Sequence, residues 1–60
     1  MQRVQLGDRV RLTGPMRDDP DPIRVGDVGT VDWVGATQVG VVWDSGRNLL
    51  LLDTDHWEVV

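Results

Sequence analysis

The sequence contains no cysteine, lysine, phenylalanine or tyrosine. Without cysteine, neither a disulfide nor a thiolate zinc site can hold this 60-residue chain together. No apolar run is long enough to cross a membrane, and the first residues lack the apolar stretch of a signal peptide. We therefore expect a cytoplasmic protein whose small core depends largely on its three tryptophans.

The net charge is negative, and the charged residues are of unusually few types. Ten Asp and Glu residues oppose six basic residues, giving a formal charge of −4. All the basic residues are arginine, and all the acids except Glu58 are aspartate, a residue that favours turns over helices and strands. This negative charge opposes long-range attraction of nucleic acid.

Short apolar segments separated by glycine and aspartate predict an all-β chain. Val10 and Leu12 alternate with two arginines, which is typical of a half-buried strand within 8–12. Further strands are expected up to Val34, then over 39–43, 49–52 and 57–60. No segment has the residue pattern of a helix of useful length.

Three irregular features interrupt these strands. Residues 13–25 hold all three prolines and an acidic run, which predicts a long loop. The alternation conflicts around Asp32 and Trp33, which predicts a β-bulge and leaves open whether Trp33 or Val34 points inward. Residues 44–47 are typical of a tight hairpin turn, and 53–56 of a 3₁₀ turn capped by Asp53.

The sequence therefore predicts a single domain, residues 1–60, folded as a small SH3-like five-stranded barrel. A long Pro/Asp-rich loop follows the first strand, and the 3₁₀ turn precedes the last. An OB-fold is the alternative, although it usually has longer strands and a helix between the third and fourth. The expected core is Val10, Leu12, Val31, Val41, Trp43, Leu49 and Trp57.

Several segments together resemble a known family of small domains. They are 7–12, the Asp-Asp-Pro-x-Pro loop of 18–23, 26–31, the Val-x-Trp-Asp-x-Gly hairpin of 41–46, and 57–59. The chain resembles over nearly its full length an uncharacterised SH3-like family of bacteria, archaea and tailed phages. It is distantly similar to KOW-type barrels, which bind nucleic acid or protein, but lacks their lysine-rich loops. The resemblance implies the barrel fold and no particular activity.

The chemistry-bearing residues do not predict a catalytic or metal site. The acidic loop lacks the spacing, glycine and bidentate glutamate of an EF-hand. His56 lies beside Asp55, but no serine or threonine has the spacing of a partnered nucleophile. We expect neither an enzyme nor a cofactor.

Surplus apolar residues favour a protein-binding or assembly module, including self-association. If alternate leucines of 49–52 face the core, Leu50 and Leu52 face outward, as does Val42 on the preceding strand. With an outward Trp33 these residues would form an apolar surface of a few hundred Å². Asp18, Asp19 and Asp21 would supply its charged rim. The alternative is that the Pro-rich loop covers this face.

The rival hypothesis is a KOW-like nucleic-acid-binding barrel. Its binding surface would be an arginine stripe, since arginine grips phosphates and stacks on bases. The residues of this stripe are Arg3, Arg9, Arg11 and Arg47. An acidic mimic of nucleic acid and a purely structural appendage of a larger complex are further alternatives.

Overall fold

The structure, a computed structural model, describes residues 3–16 and 20–60. Five strands follow in chain order: β1 Arg9–Leu12, β2 Val28–Val34, β3 Gln38–Trp43, β4 Asn48–Leu52 and β5 Trp57–Val59. The described part of the chain contains no helix. The all-β prediction and the five strands are confirmed.

All five strands join one antiparallel sheet in the order β4-β3-β2-β1-β5. The first strand is internal, because β5 returns to pair beside it with Leu12 opposite Trp57. β4 and β5 are the two edges, and no ladder joins them within the described residues. The sheet is therefore open.

The turn between β3 and β4 has the predicted tight form. The Trp43 amide donates to the Arg47 carbonyl, and the Gly46 amide donates to the Trp43 carbonyl, both at 2.8 Å. Gly46 has φ of 94°, in the left-handed region that glycine enters without steric cost. The hairpin prediction for 44–47 is confirmed.

The segment before β5 differs from the expected 3₁₀ turn. Residues 52–55 form a single turn in which the Asp55 amide donates to the Leu52 carbonyl at 3.0 Å. The Leu52 amide in turn donates to Asp55 Oδ2 at 2.9 Å. Asp55, rather than the predicted Asp53, therefore closes this turn.

The core lies on one face of the sheet, called here the inner face. Its ten buried hydrophobic residues are Val10, Leu12, Met16, Ile23, Val31, Val39, Val41, Trp43, Leu51 and Trp57. Of the predicted core, only Leu49 is half-buried, although its carbonyl accepts the Trp43 indole Nε1–H at 3.1 Å. No polar or charged side chain of the described residues is buried.

The ends of the Pro-rich loop pack on this same inner face. Met16, near the start of the loop, and Ile23, near its end, are both buried in the core. Arg47 fixes the loop from the β3–β4 turn, since Nη2 donates to the Asp21 carbonyl at 2.6 Å and Nη1 to the Pro22 carbonyl at 3.3 Å. The described part of the loop thus covers the core and leaves the opposite face of the sheet open.

Candidate protein-binding surface

The outer face of the sheet, opposite the core, is built from rows of side chains across β2, β3 and β4. Residues paired directly in an antiparallel ladder point to the same face. One row runs from Trp33 through Gly40 to Leu50, and its neighbour from Thr30 through Val42 to Asn48. Leu52 lies opposite Gln38 in the next row.

Four large apolar side chains of this face are solvent-exposed. The exposed fractions are 50% for Trp33, 45% for Leu50, 42% for Leu52 and 40% for Val42. We call these four residues the apolar patch. The sequence predicted an outward Val42, Leu50 and Leu52 and left the direction of Trp33 open; the structure exposes all four.

The predicted β-bulge is present, and it decides the direction of Trp33. The β2–β3 register shifts between Val31 and Trp33, so that Trp33 lies opposite Gly40. Val34 pairs with the buried Val39 but lies at the strand end and is itself exposed. Trp33 therefore belongs to the outer face, which answers the question that the sequence left open.

Two glycines, Gly35 and Gly40, lie against the Trp33 side chain. A Cβ added at Gly40 would lie 3.0 Å from Trp33 Cβ, and one added at Gly35 would lie 2.5 Å from Trp33 Cη2. The Trp33 side chain therefore packs against Gly40 at its Cβ and against Gly35 at the outer edge of its ring. An aromatic side chain lying across a strand glycine restores packing that the glycine lacks, and here it also holds an exposed ring in one place.

A shallow groove of about 250 Å³ lies beside Trp33. Gly40 lies between Trp33 and Leu50 in their cross-strand row, and Val41, Asn48 and Leu49 are among the other lining residues. Asp32 also lines it, and its Oδ1 would be 2.9 Å from a Cβ at Gly40.

Of the acids predicted to rim the patch, only Asp21 lies within the described residues, and it is placed away from the patch. Asp21 lies against Arg47, 3.5 Å from Nη2, in a separate groove with Ile23 and Ser45. Asp18 and Asp19 lie outside the described residues. The bordering acids are instead Asp32 in the bulge, together with the pair that follows Leu52 in the chain, Asp53 and Asp55. Sequence reasoning missed Asp32, although the bulge it had placed there was the available signal.

Three of the four arginines of the predicted stripe are engaged by acids. Arg9 donates from Nη1 and Nη2 to the two Asp44 carboxylate oxygens, at 2.8 and 2.6 Å, and from Nη1 to Thr30 Oγ1 at 3.0 Å. Arg11 bonds to Glu58 at 3.2 Å, directly across the β1–β5 ladder, and Arg47 holds the loop. Arg3 is exposed and has no ion pair within the described residues.

The Arg9–Asp44 pair shifts the pKa of both groups. Hydrogen bonding to Arg9 lowers the pKa of Asp44, and the same bonds raise the pKa of Arg9; slight desolvation opposes each shift. Both side chains are about half exposed. The pair therefore ties β1 to the end of β3 at the solvent surface.

The remaining chemical candidates do not assemble into a site. Within residues 3–16 and 20–60, no group of three acids or histidines is placed to hold a metal ion. His56 is exposed and packs beside Gly14, where an added Cβ would lie 2.9 Å from His56 Cβ. In the part of the chain that the structure describes, no helix is long and apolar enough to span a membrane.

Comparison of the chain with protein-family models, with curated proteins and with solved structures found no match.

Proposed function

We propose that this domain is a non-enzymatic binding or assembly module that contacts other proteins through the apolar patch. One observation carries the proposal. Trp33, Val42, Leu50 and Leu52 lie on one face of three adjacent strands, and each is 40–50% exposed. Contiguous exposed apolar surface of a few hundred Å² on a small protein commonly marks an interaction site.

Packing of the hydrophobic core does not explain why the side chains of the apolar patch are exposed. The core is complete on the inner face, and the buried Met16 and Ile23 direct the described loop ends to that side. Trp33 also has the character of an interface anchor, because binding energy concentrates on aromatic residues surrounded by apolar neighbours. Packing against Gly35 and Gly40 holds the Trp33 side chain in place before a partner binds, and this lowers the entropic cost of binding.

We further propose that the five-stranded sheet is an SH3-like barrel of the small-domain family that the sequence resembles. The strand order supports this, because the chain returns from the β4 edge of the sheet and the last strand pairs beside the first. The loop between β1 and β2 supports it as well, since its buried ends cover the inner face. A cytoplasmic location stays a prediction from the sequence.

The KOW-like alternative has weaker support. Arg9, Arg11 and Arg47 each already bond to an acid or to backbone carbonyls. Binding phosphates would require these contacts to be exchanged, in a protein with a formal charge of −4.

The proposal is tested by selecting peptides from a displayed random library on the wild-type domain. We expect the selected peptides to bind Leu50→Asp at least about tenfold more weakly, because an aspartate at the patch centre must be desolvated on binding. Leu6→Asp is the matched control, since Leu6 is 66% exposed and is not part of the patch. Peptides that bind Leu50→Asp and the wild type equally well would contradict the proposal.

Light scattering after size exclusion tests self-association by the same surface. A dimer that persists at high salt and is lost in Leu50→Asp would make a second copy the partner. Salt resistance is the informative property, because apolar burial is not screened as exposed ion pairs are.

A further inference from the structure

We infer that the groove beside Trp33 accepts one arginine or lysine side chain from an extended, basic segment of a partner protein. The aliphatic stem would lie between Trp33 and Leu50, and the charged head would pair with Asp32. This inference rests on the proposed protein-binding function and names the chemistry of its partner.

The size and lining of the groove suit a single long side chain. Its volume of about 250 Å³ is below the roughly 300–1,000 Å³ of pockets that enclose small-molecule ligands. Trp33 and Leu50 are exposed apolar side chains of its lining, and Gly40, which lies between them in the same cross-strand row, has no side chain. Arginine and lysine place their methylene stems on such apolar surface and keep the charge at its edge.

Asp32 supplies the charge complementarity. The bulge places its carboxylate above Gly40, on the same face as the indole. Asp32 is exposed and has no hydrogen bond or ion pair with the other described residues. A cation that contacts the Trp33 ring can therefore meet this carboxylate as well, combining cation–π attraction with an ion pair.

A second copy of the chain is the less suitable occupant. Self-association would bring together two domains of formal charge −4, each with Asp53 and Asp55 beside Leu52. The chain has no lysine, and Arg9, Arg11 and Arg47 are already engaged, which leaves Arg3 and Arg24 as the described arginines without an ion pair. Strand addition along β4 is also restricted, because Asp55 occupies both the amide and the carbonyl of Leu52.

The test is an NMR titration of the ¹⁵N-labelled domain with two capped pentapeptides. One has the sequence alanine–leucine–arginine–leucine–alanine, and the other has norleucine in place of arginine. We expect the arginine peptide to shift the Trp33 indole and Gly40 amide signals and to bind about tenfold more tightly than the norleucine peptide. Asp32→Asn should remove most of this preference without weakening the norleucine peptide, whereas Asp27→Asn, with the same change in net charge, should retain it.

Each outcome either supports or overturns the inference, and the outcomes distinguish its failure from the failure of the proposed protein-binding function. A preference for arginine that Asp32→Asn abolishes supports it. Equal binding of both peptides at the patch, or an arginine preference that survives in Asp32→Asn, overturns it but keeps the protein-binding function. A salt-resistant dimer that loses its contact in Leu50→Asp, with no peptide shifts, overturns it in favour of a second copy. If neither peptide shifts the patch signals and library-selected peptides bind Leu50→Asp normally, both proposals fail.

Discussion

At the scale of single residues, the Arg9–Asp44 pair has the most specific geometry in the described structure. Arg9 reaches across β2, bonding to Thr30 on the way, and meets both carboxylate oxygens of an acid 35 positions later in the chain. Such paired N–H···O bonds have more geometric specificity than a single contact. Exposure limits their strength, because water and salt screen the charges.

This pair predicts how stability changes in acid. Arg9 lowers the pKa of Asp44 in the folded protein below its ordinary value of 3.8. The pair therefore stabilises the fold above the unfolded-state pKa, and the contribution is lost as the pH falls through the lower folded-state pKa. We expect Asp44→Asn to unfold at lower urea concentration than wild type near neutral pH, with a gap that closes in acid.

The control for this experiment is the partner residue. Arg9→Gln should give a similar deficit with the same pH dependence, and the double variant should lose little more than either single variant. A deficit in Asp44→Asn that stays constant into strong acid would mean that the side-chain shape, and not the charge, matters.

Sequence reasoning reached some residues of the candidate site and not others. Val42, Leu50 and Leu52 follow from alternation, since a strand with one face in the core presents the next residue to solvent. The direction of Trp33 does not follow, because the alternation is interrupted at the bulge. The position of Asp32 above Gly40 does not follow, because it depends on the register between β2 and β3 at the bulge. That register is set by tertiary pairing, which a single sequence does not contain.

At the scale of elements, the loop between β1 and β2 contributes to the core. Composition predicted its existence, because the prolines and aspartates of 13–25 break strand pairing. The same composition suggested two faces that the loop could cover. Burial of Met16 and Ile23 decides for the inner face, and this choice leaves the apolar patch uncovered.

The role of the loop predicts unequal effects of two conservative truncations. Ile23→Val removes one methylene from a side chain that is 3% exposed and should lower the free energy of unfolding by about 1 kcal/mol. Val25→Ala removes more atoms from a side chain that is 55% exposed, yet should change it by less than about 0.5 kcal/mol. Urea unfolding followed by tryptophan fluorescence measures both. Equal effects would mean that Ile23 does not pack in the core in solution.

At the scale of the whole molecule, the distribution of charge separates the two classes of partner. Six arginines would be enough to follow a short stretch of phosphates if they were free. Instead, Arg9, Arg11 and Arg47 are engaged within the fold, on acids or backbone carbonyls. The acids beside the apolar patch, Asp32 and Asp53, lack such a partner within the described residues. The molecule therefore presents apolar surface with a negative border.

This distribution predicts that the domain does not bind single-stranded DNA at physiological salt. Titrating a fluorescent oligonucleotide should give no saturable change in anisotropy at about 0.15 M salt, where exposed charges more than about 8 Å apart are largely screened. Combining Arg9→Ala with Arg11→Ala should leave this result unchanged and should also leave binding of patch-directed peptides intact. Saturable binding that weakens linearly on a log–log plot against salt, and that disappears in the double variant, would reverse the ranking. It would mean that phosphates displace Asp44 and Glu58 from their arginines. The two arginines would then form a nucleic-acid-binding surface once their ion pairs are broken.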